Sequence, residues 1–150
     1  MGFLLLLHLV GVIVWVGGMF FAHIVLRPAS AEILEAPERL PLWNGVLRRF
    51  FSWVWIAIAA ILSSGLAMIA LLGGFAAAGL HVHIMLAIGI VMILIFAHVF
   101  FAGYGRLKRY VGAREWKAAG AALAQIRMLV GLNLILAVIT VAVATLGRLA

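Results

Sequence analysis

Four uninterrupted apolar stretches take up most of the 150-residue chain, approximately over 2–26, 50–72, 80–103 and 126–146. A bilayer core about 30 Å thick needs roughly 20 helical residues to cross it. Backbone polar groups in lipid must be satisfied within the segment itself, which selects helices. The sequence therefore predicts an all-α fold: an integral membrane four-helix bundle forming one domain over residues 1–150. Composition agrees, since 68% of the residues are apolar and only 10% are charged. A soluble domain of this size has too little interior to hide that much apolar surface. Cysteine is absent, which excludes disulfides, thiolate metal sites and iron–sulfur clusters.

The connections carry the charge. The first, 27–49, holds Pro28, Pro37 and Pro41 together with Glu32, Glu35 and Glu38, and Ser30 is expected to cap a short surface helix through Glu35. The second, 73–79, is short and rich in Gly and Ala, so helices 2 and 3 should form a tight hairpin. The third, 104–125, sets Arg106, Lys108, Arg109, Arg114 and Lys117 against Glu115, and its latter half reads as a helix extending helix 4. Positive charge next to spans favours the cytoplasm. This puts the first and third connections inside and both termini outside, with Arg148 the one dissenting charge. The net charge of +7 thus flanks apolar runs, which makes the lipid bilayer the partner and leaves no case for nucleic acid. Helix 1 lacks the basic start of a signal peptide, and its apolar run is too long for one. Trp43, Trp53 and Trp55 read as an interfacial aromatic belt.

All five histidines fall on two helices, His8 and His23 on helix 1 and His81, His83 and His98 on helix 3. Ionisable residues inside a membrane usually face a bundle interior or cavity. His8 to His23 and His83 to His98 are both 15 residues apart. Each pair is therefore separated by roughly 22 Å along its helix and by about 60° around it. Helices 1 and 3 run parallel, so His8 is expected level with His83, and His23 level with His98. Two facing imidazoles at two depths suit two six-coordinate b-type haems, with the histidines as axial ligands to iron and the bundle as the enclosing shell. Such a protein would pass electrons to or from a membrane quinone. Arg27, Arg48, Arg49, Arg106 and above all Arg127 are candidates to neutralise haem propionates. Gly11, Gly17, Gly18 and Gly89 would either admit a flat macrocycle or serve ordinary helix packing. Trp15 lies between the histidine layers, and Asn133 is expected to hydrogen-bond within the bundle. His81 points about 160° away from His83 and is the alternative ligand. Copper is the competing metal: His81-Val82-His83-Ile84-Met85 and Met19, one turn from His23, offer soft imidazole and thioether donors.

The segment from Leu7-His8-Leu9 to Trp15-Val16-Gly17-Gly18 resembles the opening of CopD-type copper-resistance domains. Arg48-Arg49-Phe50-Phe51-Ser52, Ser64-Gly65 and the run from Gln125-Ile126-Arg127 to Asn133-Leu134 fit the same family. That resemblance implies copper uptake or handling through His8, His81, His83 and Met85, in a multi-pass protein of a bacterial-type inner (cytoplasmic) membrane. Leu7-His8 and Leu80-His81 also resemble the paired Leu-His motifs of HemJ-type protoporphyrinogen oxidases, which would imply a haem-dependent oxidoreductase. That family continues with alanine and lysine, where this chain has Val82 and His83. In architecture the chain is similar to four-helix di-haem cytochromes b.

Overall fold

The computed structural model describes residues 1–147; Arg148 lies outside them. Among the described residues four continuous helices are long and apolar enough to cross a membrane: α1 Gly2–Ile33, α2 Ala36–Leu71, α3 Leu80–Gly112 and α4 Trp116–Leu146. The chain is thus a multi-pass membrane protein. All four helices overrun the expected spans at the basic end of the bundle. The continuation of α1 is possible because its helix opens into a π turn at Phe21–Leu26. Pro28 has no N–H to give the carbonyl one turn earlier and its ring crowds that carbonyl, and a widened turn just before it relieves both problems. A second π turn, Val99–Tyr104, interrupts α3.

The short surface helix and its Ser30 cap are not formed as expected. Ser30 is inside helical chain, where its hydroxyl donates to the Arg27 carbonyl (3.1 Å) and accepts from the Trp43 indole Nε1 (3.1 Å). Trp43 is therefore no belt residue: it is 3% exposed and belongs to a core that the overrunning helices build beyond the apolar spans, with Leu40, Leu47, Leu107 and Leu123. Trp53, at 59% exposure, does face outward. Trp55 turns inward, against Phe96 and Phe100.

The connections after α2 and α3 end their preceding helices in the same way. After α2, Gly74 N–H donates to Ile69 O and Gly73 N–H to Ala70 O, with Gly73 at φ +99°. After α3, Glu115 N–H donates to Tyr110 O and Arg114 N–H to Val111 O, with Arg114 at φ +57°. Both are Schellman motifs, whose left-handed residue is usually glycine because it has no Cβ. The hairpin after α2 does not pair its helices along their length: α1 packs chiefly on α2, and α3 chiefly on α4. Helices α1, α2 and α3 meet in an aromatic layer of Trp15, Phe51, Phe96 and Phe100, with edge-on ring contacts at 5.4–6.1 Å such as Phe51–Phe96 and Trp15–Phe96. Outside it, large side chains such as Phe3, Leu94 and Val138 are exposed, as lipid-facing positions should be.

Candidate functional site

The buried residues define which face of each helix looks inward. On α1 these include Gly11, Trp15 and Met19, and on α3 Met92, Phe96 and Val99. His8 stands seven residues before Trp15, about 20° from it in azimuth, and so belongs to the inner stripe of α1. It is half-buried, and its Nδ1 lies 3.1 Å from Ile61 O and 3.2 Å from Ser64 Oγ on α2. A carbonyl can only accept, so Nδ1 carries the proton. The Ser64 hydroxyl donates back to the Ala60 carbonyl, which leaves its oxygen free to accept from His8 as well. The remaining nitrogen, Nε2, keeps its lone pair, the form in which imidazole binds metals. Gly65 makes room for this ring: a Cβ there would sit 3.3 Å from His8 Cε1.

On α3 the same reasoning separates the two neighbouring histidines. His81 and Met85 lie eleven and seven residues before Met92, each within about 20° of its azimuth. Both are half-buried. His81 also packs against the end of α4, where its Cβ would be 2.6 Å from a Cβ built on Gly147. His83 is on the opposite face, exposed, with its Nδ1 3.2 Å from Gly79 O in the preceding turn and its ring beside Phe75. The sequence expectation favoured His83 as the inward member; the inner stripe instead contains His81.

His98 is likewise exposed. Its 15-residue spacing from His83 does place the two on one face of α3, but that face is opposite Met92 and Phe96. His23 lies within the first π turn, where the azimuth per residue departs from 100°. It packs on α4, its Cε1 3.1 Å from a Cβ built on Gly131, and its Nδ1 is buried with no hydrogen-bond partner among the described residues. The facing pairs required by a bis-histidine haem, His8 with His83 and His23 with His98, are thus not presented to each other, and the mid-bundle between the two layers is filled by Trp15 and Phe96. The residues present do not fit the two haems expected, and the quinone-linked electron path expected with them has no support.

The glycines point the same way. Gly11 meets Ile61 and Gly18 meets Phe50, so both serve packing of α1 on α2, while Gly17 and Gly89 meet nothing within 4 Å. Arg127 is half-buried and neighbours Arg27 and Arg39 at the basic end. Asn133 hydrogen-bonds within the bundle as expected, donating to Met92 O at 3.0 Å. Sequence reasoning singled out Ser64 but not its contact with His8, which depends on which residue of another helix lies opposite. Among the described residues no three His, Asp or Glu side chains gather in one place. A metal bound here would be held by few imidazoles and by thioethers.

Comparison with known proteins gives one positive finding. The family model described as CopD, Copper resistance protein D, matches residues 44–146, which takes in most of α2 and all of α3 and α4 through Leu146. No curated protein matches the chain, and no solved structure does.

Proposed function

We propose, from the premise that this chain belongs to the CopD family, that it handles copper ions as cargo within the membrane. The family match carries this reading. The placement of soft donors on the inner stripes of α1 and α3 supports it and suggests where the ion is held. Measured from the Trp15–Phe96 layer at about 1.5 Å per residue, Met92 lies about 6 Å toward the terminal end, His8 about 10 Å, Met85 about 16 Å and His81 about 22 Å. Donors therefore follow one another at steps of about 4–6 Å from the mouth of the bundle inward. Thioether and neutral imidazole suit Cu(I) over harder cations. Nδ1 of His8, tied to Ile61 and Ser64, orients Nε2 as the innermost imidazole of this series. The aromatic layer closes the bundle beyond Met92, so an ion entering from the terminal end would be held above it.

By the positive-inside rule the basic end faces the cytoplasm, and the terminal end, with His81, faces outward. A bacterial-type inner membrane fits this arrangement.

Titration of the purified full chain with Cu(I) against a chromophoric chelator under reductant tests the reading. Wild type and His83→Ala should retain copper; His8→Ala and His81→Ala should release it to the chelator. Failure of wild type to compete for Cu(I), or b-type haem absorbance bands in the purified protein, would overturn it.

A further inference from the structure

The seam between α1 and α4 combines two features that the copper reading does not use. The first is a cluster of cationic side chains at its basic end. His23 and Gly131 are in contact across the seam. The two helices run antiparallel, so Arg27, one turn beyond His23, comes level with Arg127, one turn before Gly131. Arg39, at the start of α2, donates through Nη1 to Leu34 O at 3.2 Å, which ties it to the α1–α2 junction within electrostatic range of Arg127.

The second is an open apolar groove of about 370 Å³ on the other side of the His23–Gly131 contact, lined by Phe20, Ile24, Leu134, Ile135, Val138 and Ile139. It runs from the guanidinium layer toward the bundle's middle. From Gly131 to Ile139 is about 12 Å along α4, close to the half-thickness of about 15 Å that one leaflet's acyl chains fill. Three positive charges at the headgroup level and a chain-sized apolar furrow above them match one kind of molecule.

We infer that the α1–α4 seam is a binding site for an anionic glycerophospholipid. Its phosphate sits among Arg27, Arg39 and Arg127, and one acyl chain lies in the groove over Ile24 and Val138. The headgroup is held by charge and by guanidinium forks, which suit phosphate oxygens. Basic pockets between membrane helices on the cytoplasmic side are a recognised way of retaining anionic lipids. The groove distinguishes this from a bare phosphate site, since inorganic phosphate would use only the arginines. Lipid in the seam would brace α1 against α4 where His23 leaves Nδ1 without a partner.

Native mass spectrometry of the detergent-purified full chain, reloaded with phosphatidylglycerol or phosphatidylcholine, tests this. Phosphatidylglycerol should be retained in preference to phosphatidylcholine. Each of Arg27→Gln and Arg127→Gln should weaken that preference by about fivefold, the worth of one basic residue near a charged headgroup. Arg27→Lys with Arg127→Lys should keep most of it, and Lys108→Gln should leave it unchanged. Val138→Trp, which fills the groove without touching a charge, should reduce retention of phosphatidylglycerol, and millimolar inorganic phosphate should not displace the lipid. Equal retention of the two lipids, a preference indifferent to Arg27→Gln and Arg127→Gln, or displacement by phosphate alone would overturn the inference. These outcomes are independent of whether the chain binds copper.

Discussion

Gly17 and Gly18 are adjacent in sequence, yet replacing each with alanine should change stability in opposite directions. A Cβ on Gly18 would overlap the edge of the Phe50 ring, 2.7 Å from Cζ and 3.0 Å from Cδ2, whereas one on Gly17 would meet nothing within 4 Å. Carbon atoms pack at 3.5–4.0 Å, and Cε2 of the ring is nearer still, so Phe50 must move by roughly 1.5 Å to admit the Gly18 methyl. Phe50 is backed by Phe51, with centroids 6.1 Å apart, which limits how far it can go. Overpacking of this kind costs about 1–3 kcal/mol, while alanine recovers up to about 1 kcal/mol of helix propensity. The net expectation for Gly18→Ala is a loss of about 1–2 kcal/mol. Gly17→Ala keeps only the propensity gain, up to about 1 kcal/mol. Reversible unfolding in mixed micelles on titration with sodium dodecyl sulfate, followed by circular dichroism, reads both. Gly18→Ala combined with Phe50→Ala should remove the overlap and recover much of the Gly18→Ala loss relative to Phe50→Ala alone. If the two single alanine variants lose stability equally, or if Gly17→Ala is the worse, the packing account of this glycine pair fails.

Three further expectations follow. Arg114 occupies a left-handed position that costs a residue with a Cβ about 1–2 kcal/mol; Arg114→Gly should therefore stabilise the protein by about 0.5–1 kcal/mol after the extra chain entropy of glycine is subtracted, and Arg114→Ala should not, a contrast that separates backbone relief from loss of charge. Trp43→Phe keeps the buried ring but strands the Ser30 hydroxyl as an acceptor, so stability should fall by about 1 kcal/mol in the same micellar titration. Ser64→Ala removes one of two acceptors on His8 Nδ1; a membrane hydrogen bond is worth about 0.6 kcal/mol on average, so Cu(I) affinity in the chelator competition should drop about threefold, far less than for His8→Ala. An effect as large as that of His8→Ala would show that Ser64 is itself a ligand.

Some features could be read without any tertiary information. Spans 20 residues long with no charge have one stable conformation in lipid, and the clustering of Arg and Lys marks one end of the bundle whatever the packing. The extension of α4 over 116–125 was legible in the sequence. What extended the other helices was packing beyond the spans, which apolar patterning does not register. Residues 36–49 are polar enough to look like a connection, yet they are helical because Leu40, Trp43 and Leu47 find a core beyond the membrane spans that they share with Leu107 and Leu123.

The histidines show where pattern reading stops. Their spacing correctly put His83 and His98 on one face of α3, but equal spacing cannot tell an inward face from an outward one in a helix that is apolar all round. That was decided by which residues the other three helices cover, namely Met92, Phe96 and Val99, and it brought His81 and Met85 inward instead. On α1 a different feature intervenes: His23 lies in the π turn before Pro28, where 100° per residue no longer holds, and it packs on Gly131 of α4. Sequence alone determined that this is a four-span membrane protein with its charge at one end and its imidazoles on two helices. Only the tertiary structure decided which imidazoles look inward, that His8 has its Nδ1 held by Ile61 and Ser64, and that the two glycines Gly11 and Gly18 serve helix packing. Each of those depends on a neighbour brought in from another helix, and an apolar sequence encodes such neighbours through shape far more than through chemical type.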